Sequence, residues 1–153
     1  MLAERLDMNL PELLLGSPRP RVVGILGSGG KTATISLLAR ELASLGARVL
    51  VSTSTKVHPF PDFPRLDDLS ALPAALSSPG VVFFGRQMEA EDKLTGPDRF
   101  DLSALRKLAD VILIEADGAR GRPLKVHLPH DPVLPPGVDL ALMLLGASAL
   151  GHP

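Results

Sequence analysis

The sequence predicts an α/β domain, doubly wound around a mainly parallel sheet of about five strands, with helices on both faces in three layers. Two patterns carry this expectation. Five apolar runs have strand length and are continuous rather than alternating, as suits strands covered on both faces. A segment with helical spacing joins the first two, and such a crossover makes the strands it connects parallel. At 153 residues the chain has the length of one domain, able to bury about 70% of its unfolded surface.

In chain order, Leu10 to Leu15 is a candidate short helix within an N-terminal extension, 1–20. The first apolar run is Arg21 to Leu26. Ile35, Leu38, Leu42 and Leu45 then recur at three- and four-residue steps, and Gly46 stands where a left-handed helix cap is expected. The second run is Ala47 to Ser52. His58-Pro-Phe-Pro-Asp-Phe-Pro64 sustains neither a helix nor a central strand, so it is a connection. A helix over Leu66 to Ser77 is interrupted by Pro73. Val81 to Phe84 is the third run, followed by a helix from Leu102 to Leu108 that Asp101 or Ser103 caps. Val111 to Ile114 and Leu140 to Leu145 are the fourth and fifth. The Gly- and Pro-rich stretch from Gly118 to Gly137 is expected over the carboxyl edge of the sheet.

Composition excludes several function classes. Sixteen basic residues against 17 acidic ones give a net charge of −1, which argues against a nucleic-acid partner. Absence of cysteine removes disulfides, thiolate metal sites and a cysteine nucleophile. Trp and Tyr are absent, which leaves few platforms for stacking bases. Met1 to Asp7 mixes charge into its apolar residues and Leu140 to Leu145 is too short to span a bilayer, so a cytoplasmic protein without a membrane partner is expected.

The most informative stretch is Val22-Val-Gly-Ile-Leu-Gly-Ser-Gly-Gly-Lys-Thr32. A strand runs into a Gly-rich turn and a Lys-Thr pair opens a helix. Gly27, Ser28, Gly29 and Gly30 let successive N–H groups turn inward on an anion, and the helix N-terminus adds its own donors. Lys31 would reach the outer phosphates, and the Thr32 hydroxyl would serve a phosphate-bound Mg²⁺. The standard Walker A spacing asks for glycine at position 25, where this chain has Ile25. Gly27-x-x-Gly30-Lys31-Thr32 is the shorter form found in the Mur-ligase branch of P-loop proteins. The expected fold is therefore a P-loop NTPase-like sandwich, with 21–153 as its nucleotide-binding domain, truncated at the C-terminal end. A dinucleotide fingerprint fails, because its last glycine position is Thr32 and no acid ends the second run.

The fourth run ends in Glu115-Ala-Asp117, a Walker B arrangement in which a carboxylate holds Mg²⁺ directly or through water. Two residues apart, Glu115 and Asp117 project to one face of an extended strand. One would serve the metal and the other activate a nucleophile, and spacing does not say which; pairing with nearby Arg is the bland alternative. Arg120, Arg122 and Lys125 follow in a glycine-containing loop suited to clamping phosphate or an anionic substrate, or to plain solvation. Thr53, in the run Thr53-Ser-Thr-Lys56, offers a hydroxyl to water or metal. His127, His130 and Asp131 are ligand types at loose spacing without the further nearby ligands a structural metal site needs, and His58 and His152 belong to no constellation. A guanine signature is missing after Thr55-Lys56, which favours ATP over GTP without excluding the latter.

With these residues in hand, the chain resembles the selenium cofactor biosynthesis protein YqeC family, described as accessory to selenium-dependent molybdenum hydroxylases. The matching blocks are Gly27 to Thr32, Ser52 to Lys56, Glu115 to Lys125, His130 to Pro135 and Leu144 to Pro153. The resemblance implies a nucleotide-binding α/β protein in the maturation of such a hydroxylase. Its expected partners are a nucleotide and a molybdenum hydroxylase or a cofactor-maturation enzyme. The leading expectation is an ATPase or phosphotransferase using Lys31, Glu115 and Asp117 as catalytic groups. A nucleotide-gated module without chemistry is the alternative, with nucleotide ordering 58–64 or 118–125. A Mur-ligase-like ligase domain is a third.

Overall fold

The computed structural model describes residues 9–16, 21–88, 92–99, 101–116 and 134–146. Its helices are α1 (Leu10–Leu15), α2 (Lys31–Ser44), α3 (Leu72–Ala75) and α4 (Leu102–Leu108). Its strands are β1 (Val22–Gly27), β2 (Arg48–Thr53), β3 (Arg65–Leu66), β4 (Gly80–Phe84), β5 (Arg86–Gln87), β6 (Leu94–Thr95), β7 (Val111–Glu115) and β8 (Leu140–Leu144). The central sheet has the order β3-β4-β2-β7-β1-β8, with every pair parallel. β5 and β6 form a separate antiparallel ribbon.

The α/β architecture and the mainly parallel sheet of about five strands are as the sequence predicts, the sheet having six strands in all. The sixth, β3, is two residues long and begins directly after the Pro-rich connection. A pair of residues is too short to carry a period, so nothing in the sequence separates it from loop. The helix expected over Leu66 to Ser77 is likewise shorter. A 3₁₀ turn at Leu69–Ala71 leads into α3, which places Pro73 in its first turn, where a missing N–H costs no helical bond.

Strand alternation splits the core between two faces. Val23, Ile25, Val49, Val51, Val111 and Leu113 lie on one, covered by Ile35, Leu38 and Leu42 of α2. Val22, Leu50, Ile112 and Ile114 lie on the other, beneath Leu72 and Leu76 and beneath Leu102 and Leu105 of α4. Burying each such aliphatic side chain contributes about 1.5–3 kcal/mol, which is why these strands read as unbroken apolar runs. α1 adds Leu14, fully buried, to the α2 face. A capping box starts α1: Asn9 accepts from the Glu12 N–H, and the Glu12 carboxylate accepts from the Asn9 N–H.

β1 and β2 flank α2 in sequence but are not neighbours in the sheet; β7 lies between them. Its register sets Glu115 beside Ile25 on one side and Thr53 on the other. That insertion brings the acidic strand end against the glycine turn. Among the described residues, no helix is long and apolar enough to cross a membrane.

Candidate functional site

The site is assembled where β1 meets α2. Gly27 takes φ +100°, and a Cβ there would overlap the Leu144 carbonyl oxygen of β8, so only glycine fits. The Ser28 N–H donates to that same carbonyl at 2.9 Å, pinning the turn to the sheet edge. Gly30, at φ +74°, is the N-cap of α2 and supplies no capping side chain. The N–H groups of Gly29, Gly30, Lys31 and Thr32 consequently have no protein acceptor among the described residues. Successive open amides at a helix N-terminus constitute an anion cradle. Ile25, in place of the standard glycine, is a fully buried core residue of β1, so the turn starts later than the longer motif requires.

Lys31 is folded back over this turn. Its Nζ donates to the Gly27 carbonyl at 2.8 Å and stands 4.0 Å from Glu115 Oε1, with only 9% of the residue exposed. The Thr32 hydroxyl donates to Glu115 Oε2 at 3.1 Å. Glu115 is 6% exposed, and burial pushes its carboxyl above the ordinary range, against the opposing pull of Lys31, Thr32 and His58. A carboxylate, a hydroxyl and an ammonium thus converge beside four open amides. An acidic oxygen and a hydroxyl oxygen suit a hard divalent cation such as Mg²⁺.

Thr53, the last residue of β2, is the register partner of Glu115. Its hydroxyl lies 2.9 Å from the Glu115 carbonyl and 3.0 Å from the Thr55 carbonyl, and it accepts from the Thr55 N–H. The adjacent Ser54 N–H donates to the Glu115 carbonyl. These bonds hold the Glu115 backbone in place. Asp117, Arg120, Arg122 and Lys125 lie outside the described residues, as do His127, His130 and Asp131. Among the described residues, no group of three or more His, Asp or Glu is placed to hold a metal.

Two residues gain significance that spacing alone did not give them. His58 is near enough to Glu115 to favour its charged form. It is held there by the reciprocal backbone bonds of Val57 with Leu94. No pattern connects positions 58 and 115, so only folding unites them. Ser54 has a buried hydroxyl with no hydrogen-bond partner among the described residues. The Pro-rich connection is already fastened: Phe60 stacks on Phe63 and Phe83, with ring centroids 5.7 and 5.3 Å away. Arg40 of α2 lies over the Phe63 ring and pairs with Asp62.

A family model described as YqeC protein matches residues 23–153. The chain is also 37% identical over 139 residues to "Uncharacterized protein YqeC" of Escherichia coli (strain K12), an overlap that takes in 87% of this chain and 54% of that one. It therefore spans about half the length of the curated relative it matches. No solved structure matches the chain. Since the match runs from the first strand of the sheet through the glycine turn and the Glu115 strand, the chain belongs to the YqeC family.

Proposed function

We propose that the chain binds Mg²⁺–ATP on Gly27 to Thr32 and hydrolyses it or transfers its terminal phosphoryl group, in maturation of a selenium-dependent molybdenum hydroxylase cofactor. The observation that carries the nucleotide reading is the run of open amides from Gly29 to Thr32, faced by Lys31, Thr32 and Glu115. The pathway rests on the family resemblance, and the missing guanine signature favours adenine.

In this reading the amides and Lys31 orient the phosphates and offset their charge. Thr32 and Glu115 are the oxygen ligands for Mg²⁺, which would neutralise charge at the phosphates when bound. Lys31 exchanges its bond to the Gly27 carbonyl for a phosphate oxygen. The sequence expectation also assigns Asp117, Arg120, Arg122 and Lys125 to this chemistry; they lie outside the described residues.

Titration calorimetry with ATP, with and without Mg²⁺, on the parent chain and on Lys31→Ala tests this. Loss of a charged donor to phosphate is expected to weaken binding by about 10- to 100-fold while leaving the melting transition cooperative. Equal ATP affinity and turnover in the two proteins would overturn the reading.

A further inference from the structure

A second concavity opens on the carboxyl edge of the sheet, toward the face covered by α4. It encloses about 420 Å³ and is lined by Ser54, Pro97, Asp98, Arg99, Pro135 and Pro136. That volume falls within the range of small-molecule sites. Its walls are held in place from outside. A Cβ on Gly24 of β1 would overlap the Leu134 side chain, so that leucine is seated directly on the strand beside Pro135. The Gly137 carbonyl accepts from Arg106 of α4 at 2.7 Å. Across the opening, the Asp98 carboxylate accepts from Arg86 at 2.8 Å, which ties the Pro97–Arg99 wall to the β5–β6 ribbon.

The lining has a definite chemistry. Three prolines present flat apolar walls. The Ser54 hydroxyl is buried without a partner among the described residues, a costly state that a ligand hydrogen bond would relieve. Arg86 offsets Asp98, while Arg99 has no acceptor among the described residues, so the rim favours an anion. The pocket also touches the phosphate site through the backbone: the Ser54 N–H is bonded to the carbonyl of Glu115.

We infer that this pocket binds the second substrate: a small organic anion with a flat apolar body, its charge on Arg99 and a hydrogen-bonding group on Ser54. The assignment of "second substrate" rests on the nucleotide reading above; the pocket and its ligand class do not. The Ser54 wall is bonded to the Glu115 backbone, which places the pocket next to the strand end that carries the acid.

The fluorescent anion 2-naphthoate is a suitable probe, titrated into the full chain with binding read by fluorescence and by the Ser54 and Arg99 amide signals in NMR spectra. Saturable binding is expected, weakened about tenfold in Arg99→Gln and about fivefold in Ser54→Ala, and unchanged in Lys31→Ala. Both lining positions lie outside helices and strands, and Ser54→Ala removes only an unpaired hydroxyl. Absence of saturation, equal affinity in Arg99→Gln, equal affinity for neutral 2-naphthamide, or weakening in Lys31→Ala would each overturn the inference. A chain that binds naphthoate but no ATP retires the nucleotide reading and with it the second-substrate role; one that binds only ATP retires the pocket.

Discussion

At the amino ends of the strands each acid is met by its donors, whereas at the carboxyl ends an acid is buried among competing demands. Asp110 accepts from the Arg48 guanidinium through both oxygens, at 3.0 Å each, and from the Arg48 N–H. Asp139 accepts from the Arg21 and Val22 N–H groups and from Arg106, at 2.7–2.9 Å. These two clips fasten β2 to β7 and β1 to β8 at their starts. Burial works against the Asp139 charge, yet Arg106 and the two amides together hold its carboxyl below the ordinary range. At the opposite end burial prevails, and the Glu115 carboxyl is raised. Among the described residues, the amides of Gly29 to Thr32 and the Ser54 hydroxyl at that same end have no partner. Stability is concentrated at one edge and unsatisfied bonding capacity at the other, the pattern expected when binding energy is reserved for a ligand.

The comparison breaks most severely at Gly27. Gly27→Ala forces a Cβ onto the Leu144 carbonyl at a φ disfavoured for alanine. It should cost about 3 kcal/mol or more in chemical denaturation and abolish ATP binding together. Retention of either property at parental level would contradict the docking of the turn on β8. Next comes Asp110→Ala, expected to cost about 1.5 kcal/mol, a charged-bond loss discounted because Arg48 is partly exposed. ATP affinity should not change, since the clip lies at the far edge; a coupled loss would show that the two edges are not separable.

Asp139→Asn sharpens the contrast through pH. A carboxyl with a lowered value contributes stability that is complete above about pH 4 and is lost as pH falls through the lowered value. The variant should be less stable by about 1 kcal/mol at pH 7, with the difference shrinking toward pH 2 in acid-titrated melts. Glu115→Gln should have an effect on folding of similar size and the opposite sign. The raised carboxyl stabilises the fold only while protonated, and that contribution is lost as pH rises through the raised value. A neutral amide removes the charge, so the ligand-free variant should gain about 1 kcal/mol at pH 8 and less at pH 5, while losing Mg²⁺-dependent ATP binding. A destabilised variant that still binds Mg²⁺–ATP would reverse the roles assigned to the two edges.

Much of this was legible residue by residue. The runs at Val22, Arg48, Gly80, Val111 and Leu140 became strands within a residue or two of expectation. Burial on both faces demands continuous apolar side chains in β1, β2 and β7, whereas β8, at the sheet edge, leaves Ala141 and Met143 exposed. Asp101 caps α4, and the chain leaves α2 through Gly46, as their residue types anticipate. The Gly27 to Thr32 turn was legible for the same local reason: strand, glycines and helix start are contiguous. Contacts between distant residues were not. His58 beside Glu115, the Phe60–Phe83 stack and the Ser54 pocket join segments with no shared period or motif.

By itself, then, the amino-acid order determined the secondary elements, their parallel sense and a glycine turn at the start of α2, since each follows from side-chain periodicity and local backbone freedom. The tertiary structure decided that β7 enters between β1 and β2, which puts Glu115 within reach of Lys31 and Thr32. Strand order depends on which apolar faces pack together across the whole sheet, a global balance that no window of sequence contains.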